Sequence, residues 1–276
     1  MERKEPFVSV DELVAGIEPG MTLALPKDES GPPMAAIRAL IRRGARGLDL
    51  LCAPVCGLHA DLLIGAGCID SVECGAIVIN EVGVGPRFRE AVRRGTIKLR
   101  DSTCPAIHAG LQAGEKGAPF AALRGLIGSD LLKIREDWRV IDNPFGGGGD
   151  PVVLVPALTP DVFIFHSALG DRFGNVWIAG RRDLAYCSHA SKQVFVTVEE
   201  IWDGNLLTDE RMGPGSLGAV YVSAIAHAPR GAWPLSLQHR YLEDFPHIAE
   251  YARLAKSDEG FAEYLRRYVT AEEMAV

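Results

Sequence analysis

Residues 143–180 read NPFGGGGDPVVLVPALTPDVFIFHSALGDRFGNVWIAG, and two apolar runs inside this stretch decide the fold class. Val152 to Val155 and Val162 to Phe165 are each bounded by Gly, Pro or Asp and have the length of strands buried on both faces. The linker Pro156 to Asp161 is shorter than the roughly dozen residues of a parallel crossover and long for a tight hairpin. Two inner strands that are not simple parallel neighbours are therefore expected. The second run releases polar groups in a row, His166, Ser167, Asp171 and Arg172, then Gly174-Asn175. Open α/β sheets bind ligands in loops at such strand ends.

Outward from this stretch, strands and helices alternate. Ser9-Val10-Asp11-Glu12 is a capping box opening a short helix that Pro19-Gly20 stops. A strand is expected at Thr22 to Leu25, then a turn-rich loop to Pro32-Pro33, a helix over Met34 to Arg43 and a strand over Leu48 to Leu51. Residues 59 to 66 read as a helix and Ala76 to Ile79 as a buried strand. Pro86 and Gly95 frame the next helix, Ile97 to Leu99 make a strand, and Ala106 to Glu115 a helix. The weakly periodic region Gly117 to Asp150 predicts ordered loops with one short helix near Leu131 to Glu136. Strands are expected at Val194 to Val198 and Ala219 to Ser223, and two amphipathic helices between Ile248 and Tyr268. The order argues for an α/β fold, an open mainly parallel sheet with helices on both faces. It reads as one domain over residues 1–276, with an irregular carboxy-terminal part from about residue 227.

Composition limits the function. A chain of 276 residues, 47% hydrophobic, can bury a full core. A formal charge of -7 argues against phosphate-backbone binding, so no nucleic acid partner is expected. No apolar run approaches the roughly 18 residues of a membrane span, and the amino terminus shows no signal-peptide core, which predicts a cytoplasmic protein with no membrane partner. Six cysteines without a signal peptide read as reduced thiols rather than a disulfide framework.

Several residues carry candidate chemistry, each with a plainer alternative. Asp28-Glu29-Ser30-Gly31 sits at the carboxyl end of the first strand facing a helix amino terminus, where backbone N–H groups receive anions. Two carboxylates there would repel an oxyanion, and an ordinary turn competes with a substrate loop. Glu81 stands beside glycines in another strand-end loop, as a pocket residue or a turn charge. Asp101-Ser102-Thr103-Cys104 ends a strand and enters a helix, so its hydroxyls are pocket donors or caps. Cys52-x3-Cys56-x2-His59 lacks a well-spaced second pair and reads as core thiols rather than a zinc site; no metal is expected. Gly146 to Gly149 precede a strand, the wrong context for a dinucleotide loop, and read as a flexible or tightly turning loop, with a loop that orders on ligand binding as the alternative. His166 is a satisfied strand-end histidine or a pocket wall, with Asp171 and Asn175 following it.

The pattern Pro156-Ala157-Leu158-x-Pro160-Asp161-Val162, then His166, then Asp171-Arg172-x-Gly174-Asn175, resembles the central signature of family I CoA-transferase alpha subunits of the glutaconate CoA-transferase type. Phe120, Gly128-Ser129-Asp130-Leu131-Leu132 and the Asn143-Pro144 turn are similar to the same family. The resemblance implies the same open α/β fold and a hetero-oligomer in which alpha and beta subunits pack across a shared active site. Transfer in that family uses a glutamate nucleophile, and in heteromeric members the beta subunit brings it. The sequence contains no Ser-Glu-Asn-Gly motif, so no catalytic residue is assigned to this chain.

On the resemblance, Glu29, Ser30, Gly31, Glu81, Ser102, Thr103, His166, Asp171 and Asn175 are the expected substrate-binding residues. No cofactor is expected beyond coenzyme A thioester as substrate; the partners implied are an acyl-CoA, a carboxylic acid and a beta subunit. The alternatives are one subunit of a ring-cleaving acyl-CoA hydrolase and a non-catalytic scaffold. The hydrolase relatives carry a glutamate near residues 101–104, which this sequence lacks.

Overall fold

The structure is a computed structural model describing residues 7–80 and 82–270. β1 (Phe7–Val8) leads into α1 (Val10–Ala15), closed by the expected capping box: Ser9 Oγ accepts from Glu12 N, and Glu12 accepts from Ser9 N. β2 (Thr22–Leu25), α2 (Met34–Arg42) and β3 (Leu48–Cys52) follow at the predicted places. Then come β4 (Val55–Cys56), α3 (Leu58–Gly65), β5 (Ile69–Cys74), β6 (Ala76–Ile79) and β7 (Gly83–Val84). α4 (Pro86–Arg94) begins on Pro86 and ends at a left-handed Gly95, as its flanks predict. β8 (Lys98–Asp101), α5 (Cys104–Glu115), β9 (Phe120–Leu123), α6 (Leu131–Ile134), β10 (Arg139–Asp142) and β11 (Pro151–Pro156) carry the chain to its centre. The remainder is β12 (Val162–Asp171), β13 (Val176–Trp177), α7 (Arg182–Ala190), β14 (Gln193–Trp202), β15 (Ser216–Leu217), β16 (Ala224–His227), α8 (Phe245–Leu254) and α9 (Asp258–Tyr268).

The main sheet runs β1-β16-β14-β12-β2-β3-β5-β8, every neighbouring pair parallel, with β13 and β15 added antiparallel at the end of β12. Successive side chains of a strand point to opposite faces, and both faces are covered. Leu23 and Leu25 of β2 and Val162 and Ile164 of β12 pack with α1, α2, α3, α8 and α9. Ala24, Phe163 and Phe165 pack on the other face against Ile107 and Leu111 of α5 and Leu184 and Cys187 of α7. This is the α/β arrangement that the alternation of elements predicts.

Four expectations are corrected. β12 does not stop at Phe165 but continues to Asp171, so His166, Ser167 and Asp171 are buried strand residues rather than loop residues. β11 is not in the main sheet: it is the middle strand of a separate antiparallel β10-β11-β9 sheet, so the two central runs are indeed not neighbours. The region from Gly117 to Asp150, expected as loops, contributes β9 and β10 to that small sheet. Phe120, Val140 and Ile141 remain exposed; β9 turns only Ala121 and Leu123 toward Trp138, Val153 and Val155, and the exposed β10 owes its strand to pairing with β11. Residues 219–223 do not form a strand; Ala219–Tyr221 is a 3-10 turn with Val220 exposed, and the strand lies at Ala224–His227. Gly146 to Gly149 form the tip of the β10–β11 hairpin, with Gly148 and Gly149 at positive φ.

A buried carboxylate joins the helices of the first face. Asp61 in α3 accepts from Tyr251 Oη of α8 at 2.6 Å and from Phe88 N and Arg87 N, the uncapped amino end of α4, at 2.7 and 3.3 Å. Burial raises the Asp61 carboxyl to about 6 despite these donors. A raised acid favours the folded state while protonated, so this contribution is full below its unfolded value and lost as pH rises through about 6. At pH 8 the phenol serves a charged acceptor, and Tyr251→Phe is expected to cost about 2 kcal/mol in urea unfolding. At pH 5 the loss should be roughly half that, since the acceptor is then neutral. Equal losses at both pH values would contradict this reading. Among the described residues no helix is long and apolar enough to cross a membrane.

Candidate active site

The order in which strands are laid down reverses between β2 and β12. From β2 the chain winds outward through β3, β5 and β8; from β12 it winds the other way through β14 and β16. Ligands of open α/β sheets bind outside the carboxyl ends of the strands at such a switch point. β2 and β12 pair over only Val162↔Leu23 and Phe163↔Ala24, after which β2 turns away into the loop 26–33. A cleft of about 330 Å³, counting the part open to solvent, lies here. Its walls are Glu29, Ser30 and Gly31 of the loop, His166, Ser167 and Ala168 of β12, and Trp177, Ala179, Arg181 and Gln238 opposite.

Gly31 closes the loop back onto β12. Its carbonyl accepts from His166 N at 2.7 Å, its φ is +80°, and a Cβ there would lie 2.1 Å from the His166 carbonyl oxygen. Only glycine fits. The His166 ring is buried, with Nδ1 2.8 Å from Thr197 Oγ1 and Nε2 3.0 Å from Glu199 Oε2. Burial lowers its pKa although Glu199 opposes the shift, so the imidazole is neutral near pH 7. The partners then assign Nε2–H as donor to Glu199 and Nδ1 as acceptor of the Thr197 hydroxyl. Glu199 also accepts from Arg230 N and Tyr241 Oη. A Cβ on Gly231 would lie 2.5 Å from His166 Cε1, so the histidine is clamped between two glycine-bearing segments. His166 lines the cleft with its backbone and shapes the loop; its ring is fully engaged.

The helix amino end behind the loop is largely occupied. Met34 N donates to Pro32 O, Ala35 N to Gly231 O and Ile37 N to Pro33 O. The segment after β16 thus occupies one of these donors, Ala35 N, and the loop's own prolines take the other two. The repulsion expected from Asp28 is also absent, because its side chain turns inward. Asp28 Oδ1 lies 2.7 Å from His59 Nδ1, and Oδ2 accepts from Leu58 N at 3.1 Å. Burial alone would push the His59 imidazole down, but the Asp28 charge outweighs it and holds His59 up at about 10. Its Nε2 lies 2.9 Å from Pro26 O and donates there. Neither Asp28 Oδ1 nor His59 Nδ1 finds a well-directed hydrogen bond, so attraction between charges rather than alignment holds the contact. Cys52, Cys56, Cys68, Cys74 and Cys187 are buried free thiols, as core cysteines should be.

Of the sequence-based site residues, Glu29, Ser30, Gly31 and His166 share the cleft. Asp171 does not line it: its carboxylate accepts from Phe173 N, Asn175 N, Asn175 Nδ2 and Leu206 N, and so ties the turn after β12. Asn175 belongs to the same knot through Ala219 N and Asn205. Ser102 and Thr103 follow β8, the edge strand far from the switch point; Thr103 caps α5 by accepting from Ala106 N, the plain alternative. Glu81 lies outside the described residues. Sequence reasoning missed Trp177, Arg181 and Gln238. The signal available was a basic pair directly after Gly180, at the start of a helix.

Comparison with known proteins gives a consistent picture. The profile of the coenzyme A transferase family matches residues 7–223. A protein of Archaeoglobus fulgidus without an assigned function is 34% identical over 243 residues, 86% of this chain; the match spans 52% of that protein's length. The A chain of the 3-oxoadipate CoA-transferase of Pseudomonas knackmussii is 32% identical over 261 residues, covering 92% of this chain and 89% of the relative. The crystal structure of glutaconate coenzyme A-transferase from Acidaminococcus fermentans superposes with a TM-score of 0.88 at 25% identity, covering 96% of this chain and 89% of that one.

Proposed function

The chain belongs to the coenzyme A transferase family, and from that premise we propose that it is the alpha subunit of a heteromeric CoA-transferase. It moves CoA between an acyl-CoA and a carboxylic acid, in the cytoplasm, where its unbridged thiols stay reduced. The observation that carries this reading is the composition of the switch-point cleft. It offers amide, hydroxyl and guanidinium groups, but among the described residues its one carboxylate is Glu29, which is exposed and tied to Asn80 Nδ2 at 2.5 Å. Such a cleft holds a polarised carbonyl and supplies no activated nucleophile.

The attacking carboxylate is then a glutamate of the beta subunit. Its oxygen adds to the thioester carbonyl and expels CoA thiolate, forming an acyl anhydride. The thiolate attacks the glutamyl carbonyl, releases the first acid and leaves a glutamyl-CoA thioester, which the acceptor acid reverses. On this chain the Gly31 N–H makes no hydrogen bond among the described residues and is the donor we assign to the thioester oxygen. Ser30, whose Oγ accepts from Arg181 Nη1, ties the loop on one side, and the Gly231 carbonyl accepts from Ala35 N just beyond it.

The test is turnover with and without a candidate beta chain. Acyl-CoA consumption is expected only when both chains and a second carboxylic acid are present. Consumption without an acceptor acid would identify a hydrolase, and no turnover in any combination a scaffold; either outcome overturns the proposal.

A further inference from the structure

The hydroxyl of Ser30 is half used. The residue is buried in the cleft wall, and its Oγ accepts from Arg181 Nη1 at 2.7 Å. A serine hydroxyl also has one hydrogen to give, and among the described residues that hydrogen has no acceptor. A guanidinium only donates, so the hydrogen cannot turn back toward Arg181. It is offered to whatever binds in the cleft.

The surroundings hold this direction. Arg181 is itself steadied from the far side, where Nε donates to Gln238 Oε1 at 3.1 Å. Accepting from a cation polarises the serine O–H and makes it a stronger donor. On the main-chain side Ser30 N donates to Lys27 O at 3.0 Å, and the Gly31 carbonyl accepts from His166 N at 2.7 Å, so the residue is fixed both before and after. The Gly31 N–H, assigned above to the thioester oxygen, belongs to the very next residue. A hydroxyl and a backbone N–H from consecutive residues can serve one oxygen, and donors fixed before the reaction stabilise charge without reorganising during it.

We propose that Ser30 is a catalytic residue whose hydroxyl is the second donor to the thioester oxygen, and that Arg181 is the positioning residue that aims it. The proposal rests on the CoA-transferase reading and on the Gly31 assignment. When the beta subunit's carboxylate oxygen adds to the carbonyl carbon, the C=O π pair moves onto the carbonyl oxygen. When that pair returns, the C–S bond breaks and CoA thiolate leaves. Ser30 keeps its proton throughout and donates a hydrogen bond that strengthens as charge builds on the oxygen. Arg181 acts one hydrogen bond behind, through Ser30 rather than on the substrate.

The experiment assays the two-chain complex with acetyl-, butyryl- and succinyl-CoA as donors and propionate as acceptor, and compares variants on the donor that wild type uses fastest. Ser30→Ala should lower kcat by about 100-fold, the loss of one oxyanion donor, with KM within about threefold of wild type. Arg181→Met leaves the hydroxyl in place but unaimed and should cost about 10-fold in kcat, of which Arg181→Lys recovers part. If Ser30→Ala does not fold, Ser30→Cys, close in shape and a weak donor, carries the comparison with the same expected loss. A bond that merely tied the loop would predict equal losses from Ser30→Ala and Arg181→Met, since each breaks it. A loss for Arg181→Met as large as that for Ser30→Ala, an unchanged kcat in Ser30→Ala, or a change confined to KM therefore overturns the assignment while leaving the transferase intact. A wild-type complex that forms propionyl-CoA from none of the donors brings down the functional reading and this assignment with it.

Discussion

Replacing Asp28 with alanine is expected to destabilise the chain by about 3 to 5 kcal/mol, the cost of leaving a buried charge without its partner. The residues involved are well buried, Asp28 at 7% exposure and His59 at 0%. His59 owes its position near pKa 10 to Asp28, and without that charge the imidazole must give up its proton or face an apolar interior. The substitution also removes the acceptor of Leu58 N at the start of α3, a further cap-sized loss of about 1 kcal/mol. Asp28→Asn separates the two contributions, since the amide oxygen can keep the cap while the charge is gone. Thermal unfolding should show a midpoint lower by roughly 10 °C for alanine and a smaller drop for asparagine. Pairing Asp28→Leu with His59→Phe should recover part of the loss, as apolar replacement of both partners does elsewhere. A loss below about 1 kcal/mol for alanine would mean that the pair is an ornament of the fold rather than what turns the loop inward.

Gly31→Ala should cost about 3 kcal/mol and abolish the cleft's binding capacity together. Left-handed backbone costs an L-residue roughly 1 to 2 kcal/mol, and forcing a methyl into packed backbone adds about 1 to 3 kcal/mol. The obstruction here is the His166 carbonyl at 2.1 Å, which cannot swing aside as a flexible side chain would. The loop must therefore separate from β12, breaking the 2.7 Å His166 N–H to Gly31 carbonyl bond and moving the amide assigned to the thioester oxygen. Gly147→Ala is the control: at the hairpin tip an added Cβ meets nothing within 4 Å. Its effect in the same unfolding assay should stay within about 0.5 kcal/mol. A Gly31→Ala chain as stable as wild type would contradict the close packing of loop and strand.

Much of the architecture was legible in local pattern. The capping box at Ser9, the Pro32-Pro33 entry to α2, and the Pro86 and Gly95 limits of α4 are decisions made by a few neighbouring residues, and each is found where the sequence puts it. β9 and β10 were not legible, because their strand character comes largely from pairing with β11, which β9 meets only some thirty residues on, and Phe120, Val140 and Ile141 stay exposed. The end of β12 misled for a related reason. His166, Ser167 and Asp171 are polar, yet each finds hydrogen bonds inside the fold, His166 with Thr197 and Glu199 of β14, Ser167 with Trp177 of β13 and Asp171 with the following turn and Leu206, so the strand keeps them buried.

The site divides along the same line. Ser30 and Gly31 stand out beside prolines after a strand and His166 as the first polar residue after an apolar run, and they meet in the cleft. Arg181 and Gln238 reach it by a tight turn and by an aperiodic segment, for which no repeat pattern gives a direction. The inward turn of Asp28 depends on His59, on a different loop-helix unit, and on Gly57, where a Cβ would lie 2.1 Å from the Asp28 carboxylate.

The central claim is that this chain forms one half of an active centre and that the attacking carboxylate arrives with another subunit. The most direct measurement is intact-mass analysis of the two-chain complex after incubation with acyl-CoA, with and without hydroxylamine. The account predicts a hydroxylamine-sensitive CoA adduct on the partner chain and none on this one. An adduct on this chain, at Glu29 or any other carboxylate, would contradict it.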